Sequence, residues 1–135
     1  MTLSEDVRAF LKEKRFTVLA TINEDGSPQQ TIMWYELQGD EIMMNTRDGR
    51  VKAGNFRRDP RASICVEDGY RGVTIEGTIR LIEDAETAQA DIRRLAVLNH
   101  GPEKGNAMAA NSFAKQRRLT IRLPIKHVIP HGFDE

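Results

Sequence analysis

Leu3, Val7, Phe10 and Leu11 fall at i, i+4, i+7 and i+8, the spacing of one helix face. Thr2 followed by Glu5 forms a capping box at its start, and Asp6 is also favourable in the first turn. From Phe16 the period changes to that of strands. Phe16 to Ile22 (FTVLATI) is rich in β-branched residues, and NEDGSP after it supplies a turn. Gln29 to Leu37 predicts a second strand, Gly39-Asp40 a tight turn, and Glu41 to Thr46 a third strand. Val51 to Arg58 predicts a short helix stopped by Asp59-Pro60. Ala62 to Val66 is a fourth strand, and Val73 to Ile82 a fifth whose Gly77 marks a bend or bulge. Asp84 to Leu98 is the one long helix, with Ala88, Ile92, Leu95 and Ala96 on one face. NHGPEKGN is expected to be a loop. Asn106 to Gln116 is a weak helix, since its alanines favour one while Asn111 and Ser112 do not. Leu119 to Leu123 alternates as a sixth strand, and Pro124 interrupts it before His127 to Ile129. Short antiparallel strands in sequence order point to a barrel or sandwich, mainly β with flanking helices.

Composition narrows the class of protein. At 135 residues the chain fits one domain, residues 1–135, with enough length to bury a core. The longest apolar runs are too short to span a bilayer, and MTLSEDVRAF has no signal-peptide character, so a cytoplasmic protein is expected. The single Cys65 excludes an internal disulfide, and its apolar neighbours predict a buried small residue.

Charge is balanced overall, 20 basic against 20 acidic residues, but not locally. Between Arg47 and Arg61 six of fifteen residues are basic (Arg47, Arg50, Lys52, Arg57, Arg58, Arg61), opposed only by Asp48 and Asp59. The turn at Asp48-Gly49 delivers Arg50, Lys52 and unpaired backbone N–H groups to one helix N-terminus, which is a seat for phosphate. A solvated basic turn would have the same composition. Neutral net charge and few aromatic residues argue against nucleic acid as the partner.

Catalytic motifs are lacking. His100, His127 and His131 have no metal-ligand spacing, and no GxSxG, Walker or GxGxxG pattern occurs. An enzyme built this way would leave the chemistry to an organic cofactor. Trp34, the only tryptophan, suits either a core strand or a stacking surface beside the basic turn.

The order TIxxDGSPQxT, a hairpin, RxKxxNxRRDPRAS, VxIEGTxxL and then IRLPIKHV resembles the pyridoxamine 5'-phosphate oxidase-like split-barrel proteins. Within these it is similar to the branch that binds the deazaflavin coenzyme F420. The resemblance implies a homodimer of six-stranded antiparallel split barrels, with the cofactor in grooves between subunits. Carried over residue by residue, Gln30, Thr31, Ile32, Met33 and Trp34 would run along the ring system. Asn45, Thr46, Arg50, Val51 and Lys52 would bind the ribityl chain and phosphate, and Tyr70, with Arg71, would approach the cofactor of the other subunit. The oxidase that makes pyridoxal phosphate carries an arginine and a lysine where this chain has Thr31 and Glu36. Its C-terminal segment with arginine and tryptophan is also missing, so vitamin B6 oxidation is not expected.

The resulting expectation is an F420-dependent oxidoreductase that passes a hydride from reduced deazaflavin to a small conjugated organic substrate. FMN in the same fold is the alternative cofactor, and a flavin- or deazaflavin-binding protein without turnover is the alternative function. Arg57, Arg58 and Arg61 either complement the helix dipole or meet the polyglutamate tail of F420 outside the groove. No metal, nucleic acid or membrane partner is expected.

Overall fold

The computed structural model describes residues 3–133. Helix α1 (Glu5–Lys12) buries Val7, Phe10 and Leu11, the face its periodicity predicted. Its cap is Ser4, whose Oγ accepts a hydrogen bond from the Val7 N–H at 3.2 Å. The expected Thr2 cap lies outside the described residues.

Strands β1 (Phe16–Ile22), β2 (Pro28–Trp34), β3 (Glu36–Gln38) and β4 (Glu41–Arg47) follow, then helix α2 (Val51–Arg58). Next come β5 (Arg61–Glu67), β6 (Gly72–Thr78) and β7 (Arg80–Ile82). Helices α3 (Ala85–His100) and α4 (Pro102–Asn111), strands β8 (Arg118–Pro124) and β9 (His127–His131) complete the order. One sheet runs β2-β1-β5-β6-β9 and the other β3-β4-β8-β7, and all pairs are antiparallel.

Two runs expected as single strands each break and change sheet. The first breaks at Tyr35, which is buried and donates its hydroxyl to the Leu11 carbonyl at 2.9 Å. The second breaks at buried Ile79, whose N–H is taken by the Pro60 carbonyl at 2.9 Å instead of by a ladder. Gly77 precedes that corner because a Cβ there would come within 3.2 Å of Leu123 Cδ1. Counted as continuous runs, β2–β3 and β6–β7 join β1, β4, β5 and β8 as the six-stranded antiparallel split barrel, with β9 added at an edge.

Leu19, Ile42, Met44, Ile64, Val66, Ile75, Ile121 and Leu123 fill the space between the sheets. Outside it, α3 lays Ile92 and Leu95 on Met43, which faces away from the barrel interior because β4 alternates. The segment NHGPEKGN is helix rather than loop. His100 ends α3, Gly101 turns the chain at φ 88°, and Pro102 opens α4 at its first position. Gly105 lets α4 lie against α3, since a Cβ there would stand 2.5 Å from the Val97 backbone. After α4 the chain makes a 3-10 turn at Phe113–Lys115.

Candidate cofactor site

The basic turn folds as its residues require. Asp48 accepts the Gly49 N–H at 2.9 Å, Gly49 takes φ 95°, and Arg50 becomes the N-cap of α2 with no side chain on the helix end. The first N–H groups of α2 are therefore left for an outside acceptor. Lys52, on the first turn, is only 7% exposed. Among the described residues no carboxylate, hydroxyl or carbonyl meets its ammonium. Burial lowers its pKa, and Arg50 and Arg118 lower it further. An unpaired buried ammonium beside an uncapped helix end is a seat built for an anion.

Arg118 is the residue that the sequence reading missed. Strand pairing sets it opposite Arg47, and Asn45 opposite Thr120 on the same face. Its Nε donates to Asn45 Oδ1 at 2.9 Å and its Nη1 to Gln116 Oε1 at 2.8 Å. Burial, then Arg47 and Arg50, pulls its pKa down to about 10. The alternation of β8 was legible, but only the register shows that its first residue joins the basic turn. Arg47, Arg50, Lys52 and Arg118 thus gather with no carboxylate bound to any of them among the described residues.

Beside this cluster lies a cleft of about 260 Å³. Ile32, Met33 and Trp34 of β2 and Phe16 of β1 form one side, Ile92 and Leu95 of α3 another, and Asn45, Phe113 and Arg118 its end. Trp34 meets Phe113 edge to face at 6.3 Å and His100 at 5.4 Å. Asn45 is fixed by donating to the Ala88 carbonyl at 2.9 Å and to Thr120 Oγ1 at 3.3 Å, and Thr120 in turn donates to Asp91 at 2.6 Å. The cleft thus brings together four of the expected site residues: Ile32, Met33, Trp34 and Asn45. Lys52 and Arg50 stand beside it.

The remaining expected residues are placed differently, and strand alternation explains most of it. Thr46 points to the opposite face of β4 from Asn45, into the barrel. Gln30 and Val51 are exposed, away from the cleft lining. Thr31 turns inward with Met33, and its Oγ1 is buried without a hydrogen-bond partner. Tyr70, in the turn after β5, is 89% exposed and does not line this chain's cleft, while its expected contact is with the cofactor of the other subunit. β2 is also an edge strand, so half of its backbone N–H and C=O groups have no strand partner.

Residues 3–128 match the family of pyridoxamine 5'-phosphate oxidase. The chain belongs to that family. It is 26% identical over 129 residues to an F420H(2)-dependent biliverdin reductase of Mycobacterium tuberculosis, covering 94% of this chain and 87% of that one. A crystal structure of a conserved hypothetical protein from Mycobacterium tuberculosis superposes with TM-score 0.81 at 30% identity, covering 97% of this chain and 86% of the other. The structure of an F420 reductase superposes with TM-score 0.78 at 23% identity over 94% of this chain and 98% of its own, a likeness of fold.

Against that family background several charges are already spoken for. Arg57 is bound by Asp48 at 2.9 Å and by Glu83, and Arg61 by Asp59 at 2.7 Å. Arg58 donates to the Ile22 carbonyl at 2.6 Å and to Asn55 Oδ1 at 2.9 Å. Arg57 and Arg58 thus tie α2 to its neighbours, and Arg61 pairs with the residue that caps the helix's C-terminal end. Glu36 is likewise paired, with Arg94 and Gln38. Burial pushes its carboxyl up, but hydrogen bonds from Arg94 and Gln38 outweigh this and hold it low. Cys65 is exposed, not buried. No group of metal-ligating side chains occurs among the described residues, and none of their helices is long and apolar enough to cross a membrane.

Proposed function

We propose that the chain is a homodimeric oxidoreductase that uses reduced F420 to reduce a small conjugated organic acceptor, with FMN as the alternative cofactor. That it is an oxidoreductase follows from its family and from the F420H(2)-dependent reductase among its relatives. One observation carries the site assignment: the buried, unpaired Lys52 at the uncapped start of α2, next to a cleft walled by Trp34 and Phe113.

The residues fit a cofactor with a planar ring and a phosphate. Lys52, Arg50 and the α2 N–H groups would hold the phosphate. The free edge of β2 offers polar partners near Ile32, Met33 and Trp34, which supply apolar surface for a ring. When bound, the reduced cofactor supplies the hydride. The chain contributes proximity, orientation and exclusion of water. Among the described residues of one chain, no acidic residue, histidine, tyrosine or lysine lines the cleft, so one chain by itself places no proton donor there. The same lack favours a second reading, a cofactor-holding protein without turnover. Steady-state oxidation of the reduced cofactor by simple enones separates the two. Residence in the cytoplasm belongs to this proposal.

The cofactor assignment is tested by fluorescence titration of F420, its tail-less precursor and FMN. Lys52→Ala should weaken phosphate-bearing ligands by ~1.5–3 kcal/mol, and Arg50→Ala by less because Arg50 is exposed. Affinity unchanged in both variants would move the phosphate elsewhere. FMN binding far more tightly than F420 would replace the deazaflavin with FMN.

A further inference from the structure

The cation cluster holds more positive charge than one phosphate neutralises. Lys52 and Arg50 belong to the helix start, whereas Arg118 is the cation that lines the aromatic cleft. It is partly buried, and among the described residues its side-chain hydrogen bonds go only to the neutral amides of Asn45 and Gln116. Those bonds occupy Nε and one proton of Nη1, leaving the end of the guanidinium fork open. The guanidinium carbon sits 5.0 Å from the Phe113 ring centroid, and Phe113 in turn meets Trp34. A planar ligand against these rings would present its edge to that fork.

We propose that the cleft takes a conjugated acceptor bearing a carboxylate, which Arg118 grips end-on while Asn45 holds the guanidinium in place. This rests on the cofactor site proposed above and names the acceptor class for it. A carboxylate is favoured because two parallel N–H groups match its two oxygens, and because a half-buried cation with only neutral partners gains most from an anion. Asn45 is a positioning residue. It is tied to α3 through the Ala88 carbonyl and, through Thr120, to Asp91, so the arginine cannot swing out of the cleft without losing that support.

The test is calorimetric titration of trans-cinnamate and trans-cinnamamide, isosteric probes that differ in charge, into cofactor-free and cofactor-saturated protein. The native protein should prefer the acid by about tenfold or more, the scale of a charge-assisted pair. Arg118→Gln should abolish that preference and Arg118→Lys keep part of it. Lys52→Met should keep the preference while losing affinity for phosphate-bearing cofactor. No preference in native protein, or a preference that survives in Arg118→Gln, overturns the assignment. Arg118→Gln losing discrimination between FMN and riboflavin as completely as Lys52→Met also overturns it, because Arg118 would then belong to the phosphate seat. Loss of the preference on saturation with F420, but not with its tail-less precursor, overturns the acceptor as source and gives the carboxylate to the coenzyme's tail. The cofactor-free titration reads Arg118 even if neither cofactor binds.

Discussion

Lys52 shows how a binding residue and a stability cost become the same side chain. Read from the sequence it belongs to a basic turn that is either a seat for phosphate or simply solvated. The structure buries it beside Arg50 and Arg118 with no anion at hand, so the ligand-free fold carries an uncompensated charge. Lys52→Met keeps much of the side-chain volume and should stabilise the ligand-free protein by about 1 kcal/mol or more at neutral pH. The pH dependence has a definite sign. Because burial depresses the ammonium pKa below 10.5, the native chain gives up this proton before the unfolded chain does as pH rises. The unfolded state then binds more protons, so native stability increases with pH across that window, and the advantage of Lys52→Met shrinks there. Urea denaturation of both proteins at neutral pH and just below 10.5 measures this. A variant less stable than the native chain at both values would mean that the ammonium has a stabilising partner.

At the scale of elements, most of the fold was legible because periodicity is local. β1 and α2 begin and end where FTVLATI and VKAGNFRR do, and α3 buries the four residues its pattern named. What was not legible depends on contacts distant in sequence. Nothing in QQTIMWYEL announces that its strand leaves one sheet for the other at Tyr35, since the cause is the Leu11 carbonyl on α1. The basic turn was visible as charge, but Arg118 joins it only through the β4–β8 register. The break at Gly101-Pro102 was present in the residues yet concealed by the polar character of the segment around it. Two glycines in helices separate local from tertiary causes. Gly54, in α2, has open space where a Cβ would go, so Gly54→Ala should stabilise by about 0.5–1 kcal/mol through backbone entropy alone. Gly105, in α4, faces the Val97 backbone, so Gly105→Ala must push the helices apart and cost about 1–3 kcal/mol. Equal signs for the two in denaturant titrations would contradict the close α3–α4 crossing.

For the molecule as a whole, the outer face of the five-stranded sheet carries exposed apolar side chains in a continuous row. Pairing aligns Ile32, Val18, Cys65, Thr74 and Ile129 in one row across all five strands. Phe16 and Ile32, 59% and 72% exposed, extend that row to the mouth of the cleft. A second copy of the chain laid on this face, as the proposed homodimer requires, would cover the row and close the open side of the cleft. Cys65 then has a reason to be exposed in one chain, because it would be covered in two. Val18→Glu and Ile32→Glu put unpaired carboxylates into such an interface and should yield monomers by sedimentation, with weakened cofactor binding and an unchanged far-ultraviolet spectrum. The Cys65 thiol gives a second readout. Alkylation by iodoacetamide should be slow in the native protein at micromolar concentration and fast in either glutamate variant. A native protein that sediments as a monomer, binds cofactor fully and alkylates as fast as the variants would show that each chain carries its site alone.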